Sequence, residues 1–200
     1  KESIICAWNL IERELKKNKT DFIPVDSEHF SIWSLIKNSK YETIDEIYIT
    51  ASGGPFLKLP VSKLKYISPK KAINHPRWSM GKKISIDSAT LMNKVFEIVE
   101  AKKIFNLKYS QLKILIHPSS YVHAIIKFKN GLTKMLIHDT DMSIPIFNSM
   151  YNNKMDYFNC NNLNLKVINN LKLSKVNNVK FPSVNFLKII PDQNSLFETV

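Results

Sequence analysis

The stretch LKILIHPSSYVHAIIKFKNGLTKMLIH, residues 112–138, decides the architecture. Residues 112–116 and 121–128 are short apolar runs rich in isoleucine, separated by His117, Pro118, Ser119 and Ser120, and each reads as a strand. Residues 132–138 form a third run, and Asn130-Gly131 before it suits the tight turn of a hairpin. Upstream, residues 45–50 (DEIYIT) read as another strand, ending in Ser52-Gly53-Gly54-Pro55, a turn. Residues 21–26 read as a short buried strand whose end delivers Asp26, Ser27, Glu28 and His29. Helical periodicity takes over elsewhere. Residues 2–17 place Ile4, Ile5, Trp8, Leu10, Ile11 and Leu15 on roughly one face, and Asp87 or Ser88 caps a helix expected to run to about Phe105. The sum is an α/β chain: a mixed sheet with an antiparallel part, flanked by helices.

Beyond Met150 the composition changes. Ten asparagines fall between positions 152 and 178 with little apolar periodicity, which marks 151–179 as a connecting arm, and residues 181–190 begin a further amphipathic helix. No initiator methionine and no secretory layout stand at the start, so the chain is expected to be a fragment. No apolar run approaches the ~20 residues of a bilayer span, which argues against a membrane protein.

The net charge is +12, yet all but Arg13 and Arg77 of the 29 basic residues are lysines. Nucleic-acid readers lean on arginine and on aromatics interleaved with charge, so this basicity reads as solvated surface and no nucleic-acid partner is expected. Cys6 and Cys160 are the only cysteines, which gives neither a disulfide framework nor a zinc site and fits a reducing compartment. Four glycines, Gly53, Gly54, Gly81 and Gly131, cannot build a G-x-G-x-x-G turn. A nicotinamide cofactor, if one is used, would take most of its contacts from other residues.

Two constellations carry chemistry. Asp26 and Glu28 sit two apart, and Glu97 lies on the helix capped near Ser88. Three carboxylates without a thiolate suit a hard cation, Mg²⁺ or Mn²⁺. Ser52 beside the paired glycines, Ser88 at an expected helix N-terminus, and Asn93 and Lys94 on the helix make a phosphate cradle. Residues 69–81, holding His75, Arg77, Trp78 and Met80 between Pro69 and Gly81, read as a lid whose conformation depends on ligand. His117 and His123 read as packed strand residues.

Lys1-Glu2-Ser3, the run from Pro24 to His29, Ser52 to Phe56, His75 to Thr90 and Met92-Asn93-Lys94 together resemble the 1-deoxy-D-xylulose 5-phosphate reductoisomerase family, over residues 1–148 and in the same order. Val95 stands where that family usually carries glycine, and Thr140 and Ser143 where it carries proline and arginine. The resemblance implies NADPH-dependent rearrangement and reduction of 1-deoxy-D-xylulose 5-phosphate to 2-C-methyl-D-erythritol 4-phosphate, in non-mevalonate isoprenoid synthesis. It implies Asp26, Glu28 and Glu97 as metal ligands, and Ser52, Ser88, Asn93 and Lys94 as phosphate contacts. Lys1, Ser27 and His75 would touch substrate under Trp78, and Glu2, Met80, Gly81 and Met142 would lie at the cofactor. Lys1 and His75 would join the three carboxylates in catalysis. The implied division is a remnant of an NADPH-binding domain at 1–25, a catalytic domain at 26–150, the arm at 151–179 and the start of a helical domain at 180–200. A homodimeric full-length enzyme in a bacterial-type cytoplasm, or a plastid, would follow, with this stretch inactive by itself. A metal-dependent sugar-phosphate hydrolase without nicotinamide and a basic nucleic-acid-binding module are the alternatives.

Overall fold

A computed structural model of the chain describes residues 1–37, 39–73, 81–151 and 162–192. The order is α1 (Glu2–Asn18), α2 (Ser27–Ile36), β1 (Ile44–Ala51), α3 (Pro69–Ile73), α4 (Lys82–Ala89), α5 (Met92–Phe105), β2 (Leu112–Ile116), β3 (Val122–Phe128), β4 (Thr133–Ile137), α6 (Ser143–Tyr151), α7 (Leu165–Ile168) and β5 (Ser174–Lys175). The strands form one mixed sheet ordered β4-β3-β1-β2-β5. β1 and β2 are parallel, as a connection through α5 allows, and the other pairings are antiparallel. The β3–β4 hairpin turns at Asn130-Gly131, with Gly131 at φ 87.

The core lies where the sheet meets α2 and α5. Ile44, Ile47 and Ile49 of β1 and Ala124, Ile126 and Phe128 of β3 pack against Ile32 and Ile36 of α2 and Ile98, Ala101 and Phe105 of α5. These side chains are almost wholly withdrawn from water, and their burial is the main force holding α5 to the sheet. No helix among the described residues is long and apolar enough to cross a membrane.

Four sequence expectations are corrected. Residues 21–25 form no strand: Ile23 and Val25 are exposed, and the apolar run is an extended approach to α2. The helix expected from Ser88 to Phe105 is two helices, α4 and α5, broken at Leu91, whose φ of 59 no helix interior tolerates. Ser88 therefore lies in the last turn of α4 and cannot offer a helix N-terminus. Residues 182–188 form a 3₁₀ run rather than an α-helix, and within the asparagine-rich arm Ser174–Lys175 adds an edge strand to the sheet.

Candidate functional site

Asp26 is the N-cap of α2, its Oδ1 accepting from the backbone N–H groups of Glu28 and His29 at 3.2 and 3.3 Å. The same carboxylate thus starts the helix and stands at its mouth, so the capping role and a ligand role coincide. Glu28 follows on the first turn, and Ser27 Oγ donates to Glu28 Oε2 at 2.5 Å. From the other side α5 brings Asn93, Lys94 and Glu97, with Glu97 only 2% exposed. Oxygens of Asp26, Glu28 and Glu97 lie within 4.8 Å of one another, so the three carboxylates that the sequence pairs across 71 positions meet in space.

The cluster is tightly wired. Lys94 Nζ donates to Glu28 Oε1 and to Glu97 Oε2, the latter at 2.6 Å. Asn93 Nδ2 donates to Glu97 Oε1, and Lys1 Nζ reaches Asn93 Oδ1 at 2.5 Å and stands 3.7 Å from Glu97 Oε1. Burial would raise the Glu28 carboxyl, but the Lys94 ammonium and the Ser27 hydroxyl overturn that and hold it well below the usual range. Glu97 is pushed up to about 7, by burial and then by Glu28 beside it, against the pull of Lys94. Burial works against a charged Lys94, yet Glu28 and Glu97 hold its proton more firmly than usual.

His29 was not singled out by the sequence as a site residue. Its Nε2 lies 2.9 Å from the Glu97 carbonyl oxygen and its Nδ1 3.3 Å from Asp26 Oδ1, so one buried ring links both sides of the cluster. Burial disfavours its charged form, but Asp26, Glu100 and Glu97 raise its pKa above the ordinary value. The only sequence clue was its place directly after Asp-Ser-Glu on the turn that Asp26 caps.

A pocket of about 320 Å³ opens on this cluster. Ser52, Ser88, Asn93 and Lys94 line it together with the three carboxylates, Ser27 and Met142. Gly54 explains how Ser52 comes to Ser88. Its φ is 64, and a Cβ there would lie 2.8 Å from the Ser88 carbonyl oxygen, so only glycine lets the turn rest against the end of α4. Thr50, Ser120 and His123 also line the pocket. His123 is buried, as expected, but it faces the site and stacks on His138 with ring centroids 3.7 Å apart. His117 is structural: its Nδ1 meets the Lys172 carbonyl at 2.8 Å and Ser119 Oγ its Nε2 at 2.8 Å, tying the arm to β2.

Of the expected cofactor residues that the structure describes, Met142 lines this pocket, and the other two do not. Glu2 lies at the start of α1, 3.3 Å from Lys83, and Gly81 caps α4; neither lines the pocket. His75, Trp78 and Met80, with most of the expected lid, lie outside the described residues.

The donor set fits a divalent cation. It is all oxygen, it is preassembled, and a lysine ammonium already sits between Glu28 and Glu97, where positive charge is demanded. Beside it, two serine hydroxyls and an amide can meet a phosphate.

A family model for the 1-deoxy-D-xylulose 5-phosphate reductoisomerase C-terminal domain matches residues 22–105. The chain is 62% identical to 1-deoxy-D-xylulose 5-phosphate reductoisomerase of Pelagibacter ubique over 200 residues, all of this chain and 52% of that protein. It is 47% identical to the reductoisomerase of Persephonella marina over 146 residues, 73% of this chain and 38% of that protein. A crystal structure of DOX-P reductoisomerase in complex with NADPH, fosmidomycin and magnesium is similar with a TM-score of 0.83 and 32% identity, across 94% of this chain and 48% of that one. The Zymomonas mobilis enzyme in complex with NADPH gives 0.84 and 30%, across 93% and 48%. The chain spans about half the length of its Pelagibacter relative and of these solved structures.

Proposed function

The chain belongs to the 1-deoxy-D-xylulose 5-phosphate reductoisomerase family, and we propose that it carries the metal- and phosphate-binding part of an enzyme converting 1-deoxy-D-xylulose 5-phosphate to 2-C-methyl-D-erythritol 4-phosphate with NADPH. One observation carries the reading: Asp26, Glu28 and Glu97 converge within 4.8 Å beside the serines, amide and lysine that suit a phosphate.

In this reading Asp26, Glu28 and Glu97 hold Mg²⁺ or Mn²⁺. The bound cation supplies Lewis acidity to the ketose carbonyl and hydroxyl oxygens, and NADPH supplies the hydride. Ser52, Ser88 and Asn93 grip the phosphate, anchoring the substrate at a point remote from the reacting carbons. Lys94 joins them once a cation takes over Glu28 and Glu97, because its ammonium is then no longer needed between those carboxylates. Lys1, Ser27 and His75 orient the sugar, and Trp78 belongs to a lid over residues 69–81 that keeps water out. Glu2, Met80, Gly81 and Met142 meet the cofactor where the rest of the polypeptide supplies the nucleotide-binding half.

Residues 26–150 are thus the catalytic domain, 1–25 the end of the NADPH-binding domain, and 180–200 the start of a helical one. The whole enzyme is a cytoplasmic homodimer. The test is NADPH oxidation by the full-length protein with 1-deoxy-D-xylulose 5-phosphate and Mg²⁺ or Mn²⁺. Turnover that needs both metal and NADPH is expected, and phosphate release without nicotinamide would favour a sugar-phosphate hydrolase.

A further inference from the structure

Residues 180–183, at the end of the asparagine-rich arm, have no part in the site described above, yet they touch both segments that bring its serines together. The pairing of Ser174–Lys175 with β2 sets the arm on the sheet. Asn177 then turns the chain: its Oδ1 accepts from the Val179 and Lys180 N–H groups at 3.0 Å each, and its carbonyl from the Phe181 N–H at 2.9 Å. Out of this turn come three contacts. Lys180 Nζ donates to the Leu57 carbonyl at 2.5 Å, so an ammonium that would ordinarily be left in water points inward to main chain. Phe181 is buried with Ala51, Leu91 and Ile116, and Leu57 packs on the same group. Ser183 Oγ donates at 2.5 Å to the carbonyl of Thr90, the C-cap of α4, and so satisfies a carbonyl that the helix end cannot pair within itself.

Each point that is held leads to a serine. The Leu57 amide donates to the Gly54 carbonyl at 3.4 Å, and the Gly54 amide donates to Ser52 Oγ at 3.2 Å. The Leu57 side chain lies so close to Gly53 that a Cβ there would meet it at 2.7 Å. Thr90 follows shortly after Ser88, and the Leu91 amide donates back to the Ser88 carbonyl at 3.2 Å. We propose that residues 180–183 are a clamp that holds the glycine turn and the end of α4 in one frame, with Lys180 and Ser183 as positioning residues that fix the spacing of Ser52 and Ser88 for a phosphate. The phosphate rests on the functional reading above, and the clamp itself on these contacts alone. Two hydroxyls held at a fixed spacing take up an anion without first having to order the two segments that carry them.

The experiment uses the full-length enzyme. Lys180→Met keeps the side-chain stem and removes the donor, and Ser183→Ala removes the hydroxyl. Each should raise KM for the phosphorylated ketose about three- to tenfold, the worth of one hydrogen bond, with kcat within about twofold. The inhibition constant of inorganic phosphate should rise in step. Mn²⁺ affinity should stay within about twofold, because neither hydrogen bond is made to the segments that carry the carboxylates. Lys180→Arg, which keeps a donor, should recover most of the loss. In a Ser52→Ala background Lys180→Met should cost no more than about a further twofold, since the serine it positions is gone, and Ser183→Ala should behave likewise in Ser88→Ala. Unchanged KM and phosphate inhibition, multiplying losses in these pairs, or a loss of Mn²⁺ affinity equal to the rise in KM would overturn the proposal. If Lys180→Met fails to fold, Ser183→Ala carries the same test with the loss of a single hydroxyl. Hydrogen exchange supplies a readout independent of turnover. The Gly54 and Leu57 amides should exchange faster in Lys180→Met, and the Leu91 amide faster in Ser183→Ala. Unaltered exchange in both variants refutes the clamp. A wild-type enzyme without NADPH-dependent turnover refutes the functional reading, and the exchange measurement then decides the clamp by itself.

Discussion

Glu97 sits where the demands on one side chain conflict most. Almost wholly buried, it faces Glu28 and takes hydrogen bonds from Asn93 and Lys94, an arrangement that wants one more positive charge than the protein supplies. Glu97→Gln should weaken Mn²⁺ binding at least about tenfold, since even groups behind a metal's ligands matter that much, and turnover should fall with it. Mn²⁺ titration followed by electron paramagnetic resonance checks the first effect, and unchanged affinity would remove Glu97 from the ligand set. His123 gives a pH prediction. Burial, with His138 stacked on it, lowers its pKa to about 4 from 6.5, against the pull of Glu28. The unfolded chain therefore takes up a proton below about 6.5 that the folded chain refuses until about 4. This contribution, up to about 3 kcal/mol, is complete above pH 6.5 and lost as pH falls toward 4. Glu97 has the opposite sign: its stabilising contribution is full below 4.5 and lost as pH rises to about 7. The two slopes oppose each other between about 4.5 and 6.5, where the wild-type stability curve carries little trace of either. Imidazole NMR should find His123 neutral at pH 5.5. His123→Asn removes one opposing slope, so urea unfolding should show stability falling more steeply than in the wild type as pH rises from 5 to 7, with the raised Glu97, Glu100 and His29 working together against the lowered His138.

At the scale of elements, the junction of β1, the glycine turn and α4 brings Ser52 and Ser88 to one side of the pocket, the side proposed to take the phosphate. Gly54 is at positive φ and has no room for a Cβ against the Ser88 backbone, which cannot yield as a side-chain tip would. Gly54→Ala should cost about 1–3 kcal/mol and part Ser52 from Ser88. Thermal unfolding reads the first effect, and a raised KM for the phosphorylated substrate with kcat less affected reads the second. A KM that stayed put while stability fell would show that the two serines do not act together. The break at Leu91 belongs to the same junction. Nothing in the local sequence forbids one helix from Ser88 to Phe105, since no proline or glycine interrupts it. Leu91 is 1% exposed, and its side chain packs with Ala51, Ile116 and Phe181, contacts from three distant segments that outweigh the strain of its backbone.

For the molecule as a whole, the decisive prediction concerns division of labour. The 200-residue chain lacks a glycine-rich dinucleotide turn, so it should bind Mn²⁺ through its carboxylates yet leave NADPH unoxidised, while the full-length protein does both. Calorimetry on the two lengths, beside a turnover assay, distinguishes them, and NADPH oxidation by the shorter chain would refute the division. The charge of +12 should not confer salt-sensitive oligonucleotide binding, which fluorescence anisotropy at two ionic strengths would reveal.

The sequence by itself determined the sheet strands from Ile44 to Ile137, because each is a short run rich in isoleucine and other apolar residues, bounded by turn residues, and it determined the hairpin through Asn130-Gly131. It also brought forward the carboxylates, serines and lysine as candidates, through their residue types and the family motifs that hold them. Only the tertiary structure decided how they meet. Residues 21–25 look like a strand, but no neighbour pairs with them, and a strand exists only through its partner's hydrogen bonds. Ser174–Lys175 looks like nothing and becomes a strand because β2 offers a free edge. His29 and His123 carry no spacing that marks them. Their places in the site come from sides of α2 and β3 that meet α5 and the pocket only after both helices have packed on the sheet.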